Sequence, residues 1–220
     1  MKQLLLVVGL VLGLSGVGFA QQDTLDVNST KPGREYRGFA LGEVTTPEGR
    51  KIRLYLPVST DGFGKVLSFY DKSPDIRSKP KMKMIGVDKV QSMVVEGIYS
   101  ETMIVEGKNK KVLATRLLEG PAELFNYAEA EAIPIPVAPL AGAVMVMAAI
   151  PYTNNHWYVR RGGELVEVKR SIFRQQMTEY FKDCPELAQK IQQDLSDYQY
   201  RDMRAIIAQY NLLLAAKASK

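Results

Sequence analysis

Apolar residues change their spacing once along this chain, near Val168, and that change points to an α+β fold. Before it, short runs alternate apolar with polar residues, as strands with one face on a core do; after it, apolar residues recur every third or fourth position, as on amphipathic helices. Ile52, Leu54, Leu56 and Val58 alternate with Arg53, Tyr55 and Pro57, and Pro57, lacking an N–H, predicts a strand end or a sheet edge. The stretch 38–44 is its expected partner across the turn Thr46-Pro47-Glu48-Gly49. Further strands are expected at 66–70, 82–87, 90–95, 99–105, 112–118, 124–127, 157–160 and 165–168. The last two are joined through Gly162-Gly163, a pair that accepts the positive φ angles of a tight hairpin.

Three helices follow. Ile172, Phe173, Met177, Tyr180 and Phe181 share one face, and Leu187, Ile191 and Leu195 another. Met203, Ile206, Ile207, Tyr210, Leu213 and Leu214 form the third stripe. For the middle helix, Asp183 is the expected cap, Pro185 fits the first turn, and Glu186 closes a capping box. The expected architecture is an antiparallel β region over 36–170, a curled sheet or small sandwich, with a three-helix segment over 171–216 packed on it.

The first twenty residues read as an export signal. Met1-Lys2-Gln3 gives a positive start, 4–17 is almost wholly apolar, and Gly18-Phe19-Ala20 places small residues at a cleavage site. The mature chain is expected to begin at Gln21 with a polar leader over 21–35, and to reside in the periplasm or at the cell surface. No Cys follows the apolar segment, which argues against a lipid anchor. Cys184 is the single cysteine, so an intramolecular disulfide is impossible and packing must supply stability. The formal charge of +5, reduced by one when Lys2 leaves, is too mild to hold a polyanion, and no nucleic-acid partner is expected.

The stretch 133–151 carries no charge and is punctuated by Pro134, Pro136, Pro139 and Pro151. A spanning helix needs roughly 20 apolar residues to cross about 30 Å, whereas the uninterrupted part, 140–150, would reach about 17 Å. It is too short to span as a helix. The expectation is a proline-stiffened extended connection over 133–139, then a buried strand or small-residue segment packed on the helices. The alternative is an exposed surface for a partner protein or the outer leaflet of a membrane.

Candidate chemistry is sparse. His156 is the only imidazole, which excludes a His-x-x-x-His zinc site and leaves it a strand-end residue, with Cys184 as a remote nucleophile partner. Glu119 and Glu123 are a conceivable carboxylate pair for a hydrolase, but Glu101, Glu119, Glu123 and Glu129 read as solvated loop charges. Lys79, Lys81 and Lys83 share one side of an extended segment, suiting an anionic glycan or lipid head group; the same pattern guards an exposed strand edge. Trp157, Tyr158 and Arg160 suggest a sugar-stacking patch or cross-strand pairs. No motif implies a metal or cofactor.

The order of segments resembles a group of uncharacterised exported proteins typical of Bacteroidota. The matching runs are Ser73-Pro74-Asp75-Ile76, Leu117-Leu118-Glu119-Gly120, Glu123-Leu124-Phe125, Trp157-Tyr158-Val159-Arg160-Arg161-Gly162-Gly163, Phe181-Lys182-Asp183-Cys184-Pro185-Glu186-Leu187 and Tyr210-Asn211. The resemblance implies periplasmic or surface residence and assigns no catalytic residue. The function expected is a non-catalytic envelope module binding a protein or a surface glycan; the alternative is an envelope hydrolase using acidic residues, or Cys184 with His156. The intact mass of the protein from the cells that make it should match a chain starting at Gln21; a mass that retains residues 1–20 would refute the export reading.

Overall fold

The computed structural model describes residues 38–78, 80–105, 109–137 and 146–218. The export segment 1–20, the leader 21–35 and Lys79 lie outside the described residues. Among the described residues ten strands precede three helices: β1 (Phe39–Thr45), β2 (Lys51–Pro57), β3 (Val66–Phe69), β4 (Lys83–Gly86), β5 (Ser92–Val95), β6 (Ile98–Val105), β7 (Lys110–Leu118), β8 (Ala122–Val137), β9 (Val146–Arg161) and β10 (Glu164–Val168), then α1 (Phe173–Tyr180), α2 (Pro185–Gln192) and α3 (Met203–Ala218). Eight strands form one antiparallel sheet in the order β10-β9-β8-β7-β6-β5-β1-β2, and β3 with β4 makes a separate two-stranded ribbon. The chain is thus α+β, with its strands before its helices.

The helices cover one face of the sheet. Ala122, Leu124, Trp157, Val159 and Val168 meet Phe173, Met177, Phe181, Leu187, Ile191, Met203, Ile206, Ile207 and Tyr210 in a shared core. Each fully buried aliphatic or aromatic side chain there contributes about 1.5–3 kcal/mol relative to exposure, so the period-3.6 stripes are what hold the C-terminal segment on the sheet. Asn211 pins α3 to the start of β8: its side chain accepts from the Ala122 N–H and donates to the Ala122 carbonyl, both at 2.9 Å.

Between α1 and α2 the expected capping box is not formed. The N-cap position is Cys184, with Pro185 in the first turn as expected, and Glu186 pairs with Lys190 instead. Asp183 is diverted because a stronger partner is nearby: Arg161, at the end of β9, donates to it at 3.0 Å, and the Tyr210 hydroxyl of α3 donates to it at 2.7 Å. The Arg161 guanidinium also donates to the Tyr210 oxygen and lies over the Tyr180 ring at 4.6 Å. A carboxylate clasp, held by a guanidinium and a phenol, therefore takes the place of the cap.

β7 and β8 part company midway. They pair from Thr115↔Asn126 to Leu118↔Leu124, and below that the segment Asp61-Gly62-Phe63 enters between them. Phe63 exchanges two 2.8 Å backbone bonds with Leu113 of β7, and the Ala128 N–H of β8 donates to the Asp61 carbonyl at 2.7 Å. β8 and β9 nevertheless stay paired along their whole length, from Ala122↔Arg161 to Val137↔Val146. Beyond the wedge on one side and the last β10 rung, Val168↔Trp157, on the other, the two strands continue as an arm. Its eight rungs from Ala130↔Thr153 to Val137↔Val146 measure about 24 Å at about 3.4 Å per residue.

This corrects the expectation for 133–151. Residues 133–137 are extended as expected, but they pair with 146–150 as strand, and Ile150 at the arm's base is 52% exposed rather than packed on the helices. The remainder, 138–145, lies outside the described residues.

The clasp has a pH signature. Burial alone would raise the Asp183 carboxyl, but hydrogen bonds from Tyr210 and Arg161 outweigh it and hold the group below its ordinary range. A carboxylate depressed in the folded state contributes stability above its unfolded pKa, near 4, and loses that contribution as pH falls through its folded value. Asp183→Asn should therefore lower stability by about 1 kcal/mol at pH 7, the partly exposed site being screened by solvent. The deficit should shrink toward zero in denaturation curves taken below pH 4.

Candidate functional site

The face of the sheet away from the helices carries the polar side chains. Because strand residues alternate, β8 sends Glu123, Phe125, Tyr127 and Glu129 to this face, and β9 sends His156, Tyr158 and Arg160. Phe125, Tyr127 and Tyr158 pack there with Met103, Val105, Val112 and Ala114.

A charged lattice lies over these rings. Arg160 donates to Glu101 of β6 at 2.8 Å and lies 3.4 Å from Glu123, while Arg116 of β7 bonds Glu123 at 2.6 Å and Glu119 at 3.1 Å. The guanidinium of Arg160 sits 4.9 Å above the Phe125 ring, and that of Arg116 sits 4.9 Å above Tyr99. The Tyr99 hydroxyl completes the lattice by donating to Glu101 at 3.0 Å. Burial followed by the Glu101 charge pushes the Tyr99 hydroxyl up. Burial works against the Arg160 charge, and Glu101 and Glu123 outweigh it, holding the guanidinium more firmly protonated. Two guanidinium groups are thus shared among three carboxylates over β6 to β9.

The lattice continues to the root of the arm. Lys110 of β7 bonds Glu129 of β8 and reaches the Tyr127 hydroxyl at 3.4 Å. Burial disfavours the Lys110 ammonium, yet Glu129 and Tyr127 raise its pKa overall. His156 stacks on Tyr127, with ring centroids 5.8 Å apart, and stands between Glu129 at 3.4 Å and Glu167 of β10 at 3.8 Å. Two rungs beyond Glu129, in the arm, Tyr152 donates to Glu131.

The residues singled out from sequence separate in the structure. Trp157 points into the helix-side core and Tyr158 into the opposite one, both buried, so the two rings do not make one sugar-facing patch. Arg160 shares the Tyr158 face but is committed to Glu101 and Glu123. Lys81 is exposed, and Lys83 opens β4, pairs with Asp71 and so sits on the edge of a two-stranded ribbon. Cys184 is buried among the helices while His156 is on the other face of the sheet; the two do not converge. Glu119 and Glu123 are held by one guanidinium, and Glu101, Glu123 and Glu129 are half-buried strand residues rather than solvated loop charges.

One open depression of about 520 Å³ is bordered by Arg170, Phe173, Asp194 and Tyr200, and another of about 610 Å³ adjoins the lattice at Lys110, with Lys65, Asp88 and Lys111 on its other sides. Among the described residues no group of three or more His, Cys, Asp or Glu side chains is arranged to hold a metal. No helix among them is long and apolar enough to cross a membrane. No protein-family model, curated protein or solved structure matches the chain.

The outward backbone groups of the arm have no further strand paired to them among the described residues. Its residues alternate between those whose N–H and C=O face the partner strand and those whose groups face outward. Ala122 and Ala128 belong to the outward set of β8, because their N–H groups bond Asn211 and Asp61 respectively. Pro134 and Pro136 fall in the same set, and so does Pro151 on β9, the partner of Ala132. The prolines thus cost the arm no internal ladder bond, which is why a proline-rich stretch remains a strand here.

The lattice is a stability element. Arg160→Ala should leave Glu101 and Glu123 without their shared cation and Phe125 without its cover, costing about 2 kcal/mol or more in urea denaturation. Adding Glu101→Gln should recover part of that loss; strict additivity of the two substitutions would show that the pair does not interact.

Proposed function

We propose that this protein is a non-catalytic module of the cell envelope that holds a partner protein through the β8–β9 arm. The observation that carries this reading is the arm itself: eight rungs of ribbon with no further strand paired to either side among the described residues, built on a sequence without charge from 133 to 151. At its base, Ile150 is 52% and Tyr152 is 40% exposed. These two residues, two positions apart on β9, share one face of the strand, and apolar surface left in water is a mark of interaction, since it forfeits the burial that would otherwise stabilise the fold. The charged lattice supports the same reading by its self-sufficiency, because its arginines and carboxylates neutralise one another instead of converging on a cavity. A surface glycan is less favoured, since Trp157 and Tyr158 are buried on opposite faces.

A photo-reactive phenylalanine analogue at Ile150 tests this in intact cells, with the same analogue at Leu212 of α3, 71% exposed, as the comparison. A discrete protein adduct from position 150 that position 212 does not give is the expected result. No adduct at 150, or the same adducts at both positions, would overturn the proposal.

A further inference from the structure

We infer that the β3–β4 ribbon is a membrane-surface site: its apolar outer face enters the head-group region of an anionic phospholipid leaflet, and the lysines around it hold the phosphates. This is independent of the arm and of any partner bound there.

The inference starts from the two sides of the ribbon. Val66↔Gly86 and Ser68↔Met84 are opposite pairs on one side, and Leu67↔Ile85 lies on the other. Leu67 is buried and Ile85 packs beside it in the core that holds Val44, Leu56, Phe63 and Met93, so theirs is the inner side. An antiparallel ribbon with one face on a core is expected to be polar on the other. Here the outer side instead presents Met84, 67% exposed, and Val66, 53% exposed, with Met82 also exposed two residues before Met84.

Charge is concentrated on the same element. The whole chain has a formal charge of +5, and residues 65–89 hold seven Lys or Arg against three Asp, so nearly all of the excess lies in this ribbon and its loop. Lys83 is taken by Asp71, whereas Lys65, Lys72, Arg77 and Lys81 are exposed and form no ion pair among the described residues. The depression of about 610 Å³ has Lys65, just ahead of β3, and Lys111 on its border, with Asp88 as its carboxylate, and gives a head group a recess at the end of the ribbon.

Exposed thioether and aliphatic groups set among lysines suit a bilayer interface, because the lysine stems lie along apolar surface while their ammonium groups reach phosphate. Two other occupants fit less well. A stable protein interface uses roughly 20 or more residues a side, and two four-residue strands offer far fewer. An acidic glycan would use the cations but leave Val66, Met82 and Met84 in water, and neither Phe69 nor Tyr70 is exposed for a sugar to stack on.

The test co-sediments the protein purified from the cells that make it with phosphatidylethanolamine–phosphatidylglycerol vesicles and with phosphatidylcholine vesicles. Binding to the first that falls as salt is raised, and about tenfold weaker binding to the second, are expected. Lys65→Gln/Lys72→Gln/Lys81→Gln should weaken binding about tenfold or more, and Val66→Thr/Met84→Gln, which changes no charge, about fivefold. Equal binding to both kinds of vesicle would overturn the inference. Loss in the lysine variant with full binding by Val66→Thr/Met84→Gln would overturn it in favour of a soluble polyanion, and binding that only Ile150→Asp removes would assign the lipid to the arm instead. A wild-type dimer in sedimentation velocity that Met84→Gln dissociates would also overturn it, by making the outer face a contact between copies. Met84→Trp gives a second readout: its emission should move to the blue when the anionic vesicles are added, and an unmoved spectrum refutes insertion of this face. The altered residues are exposed, so thermal melts should match the wild type; Lys72→Gln/Lys81→Gln, both in the loop, replaces the triple variant if that one melts early.

Discussion

Insertion of Asp61-Gly62-Phe63 between β7 and β8 is the constraint on which the shape of this protein depends. The main-chain groups of Leu113 and Ala128 that would otherwise face each other are taken by Phe63 and Asp61. Without the insertion, β8 would have a neighbour along more of its length, and the ribbon would be part of the sheet. Gly62 makes the wedge possible for two reasons. Its φ of +75° lies in the region that side-chain-bearing residues avoid, and a Cβ there would run into the Leu113 carbonyl oxygen. A residue with no side chain is thus needed where one strand's partner is exchanged for a loop.

Above the wedge the two sheet faces solve burial differently. The helix face uses apolar stripes, whose attraction is non-directional and tolerates the variety of side chains gathered there. The other face, which meets no helix among the described residues, covers Phe125 with the Arg116–Glu123–Arg160–Glu101 lattice. Guanidinium groups suit this position because they stack on rings while their edges bond carboxylates, so one group both shields an aromatic and satisfies two acids. Such a lattice is directional. It fixes the mutual register of β6 to β9 in a way that an apolar layer would not.

The strands and helices were legible in the sequence wherever one face of an element meets water, because alternation and the 3.6 period are consequences of a single buried face. Ile52 to Val58 and the Met203–Tyr210 stripe are examples, and both lie within a residue or two of their expected limits. The arm was not legible in the same way. From Ile133 onward no polar residue marks a face, so period two vanishes, and prolines that argue against a strand in isolation are harmless in the outward set. That set is defined by which neighbour Ala122 and Ala128 bond, information that lies in Asn211 and Asp61, far away along the chain. The lattice was illegible for a related reason: Glu101 and Arg160 meet only through the register of four strands. Asp183 shows the converse case, where the local cap expectation failed because long-range partners take the carboxylate.

A projecting ribbon is useful for recognition only if its direction is set before the partner arrives, since orienting a loose arm would consume part of the binding free energy. Its root is tied on both sides. Lys110 reaches across from β7 to Glu129, the wedge holds Ala128, and the Tyr200 hydroxyl donates to the Asn155 carbonyl at 2.6 Å from the helical side. His156, between Glu129 and Glu167, links the same root to β10. These ties reach β7, β10 and the helical segment, so the anchorage spreads over the whole sheet rather than one neighbour. One pair of strands therefore divides the work: the lower half of β8 and β9 supplies the core, and the upper half continues as a ribbon that carries no charge beyond Glu131.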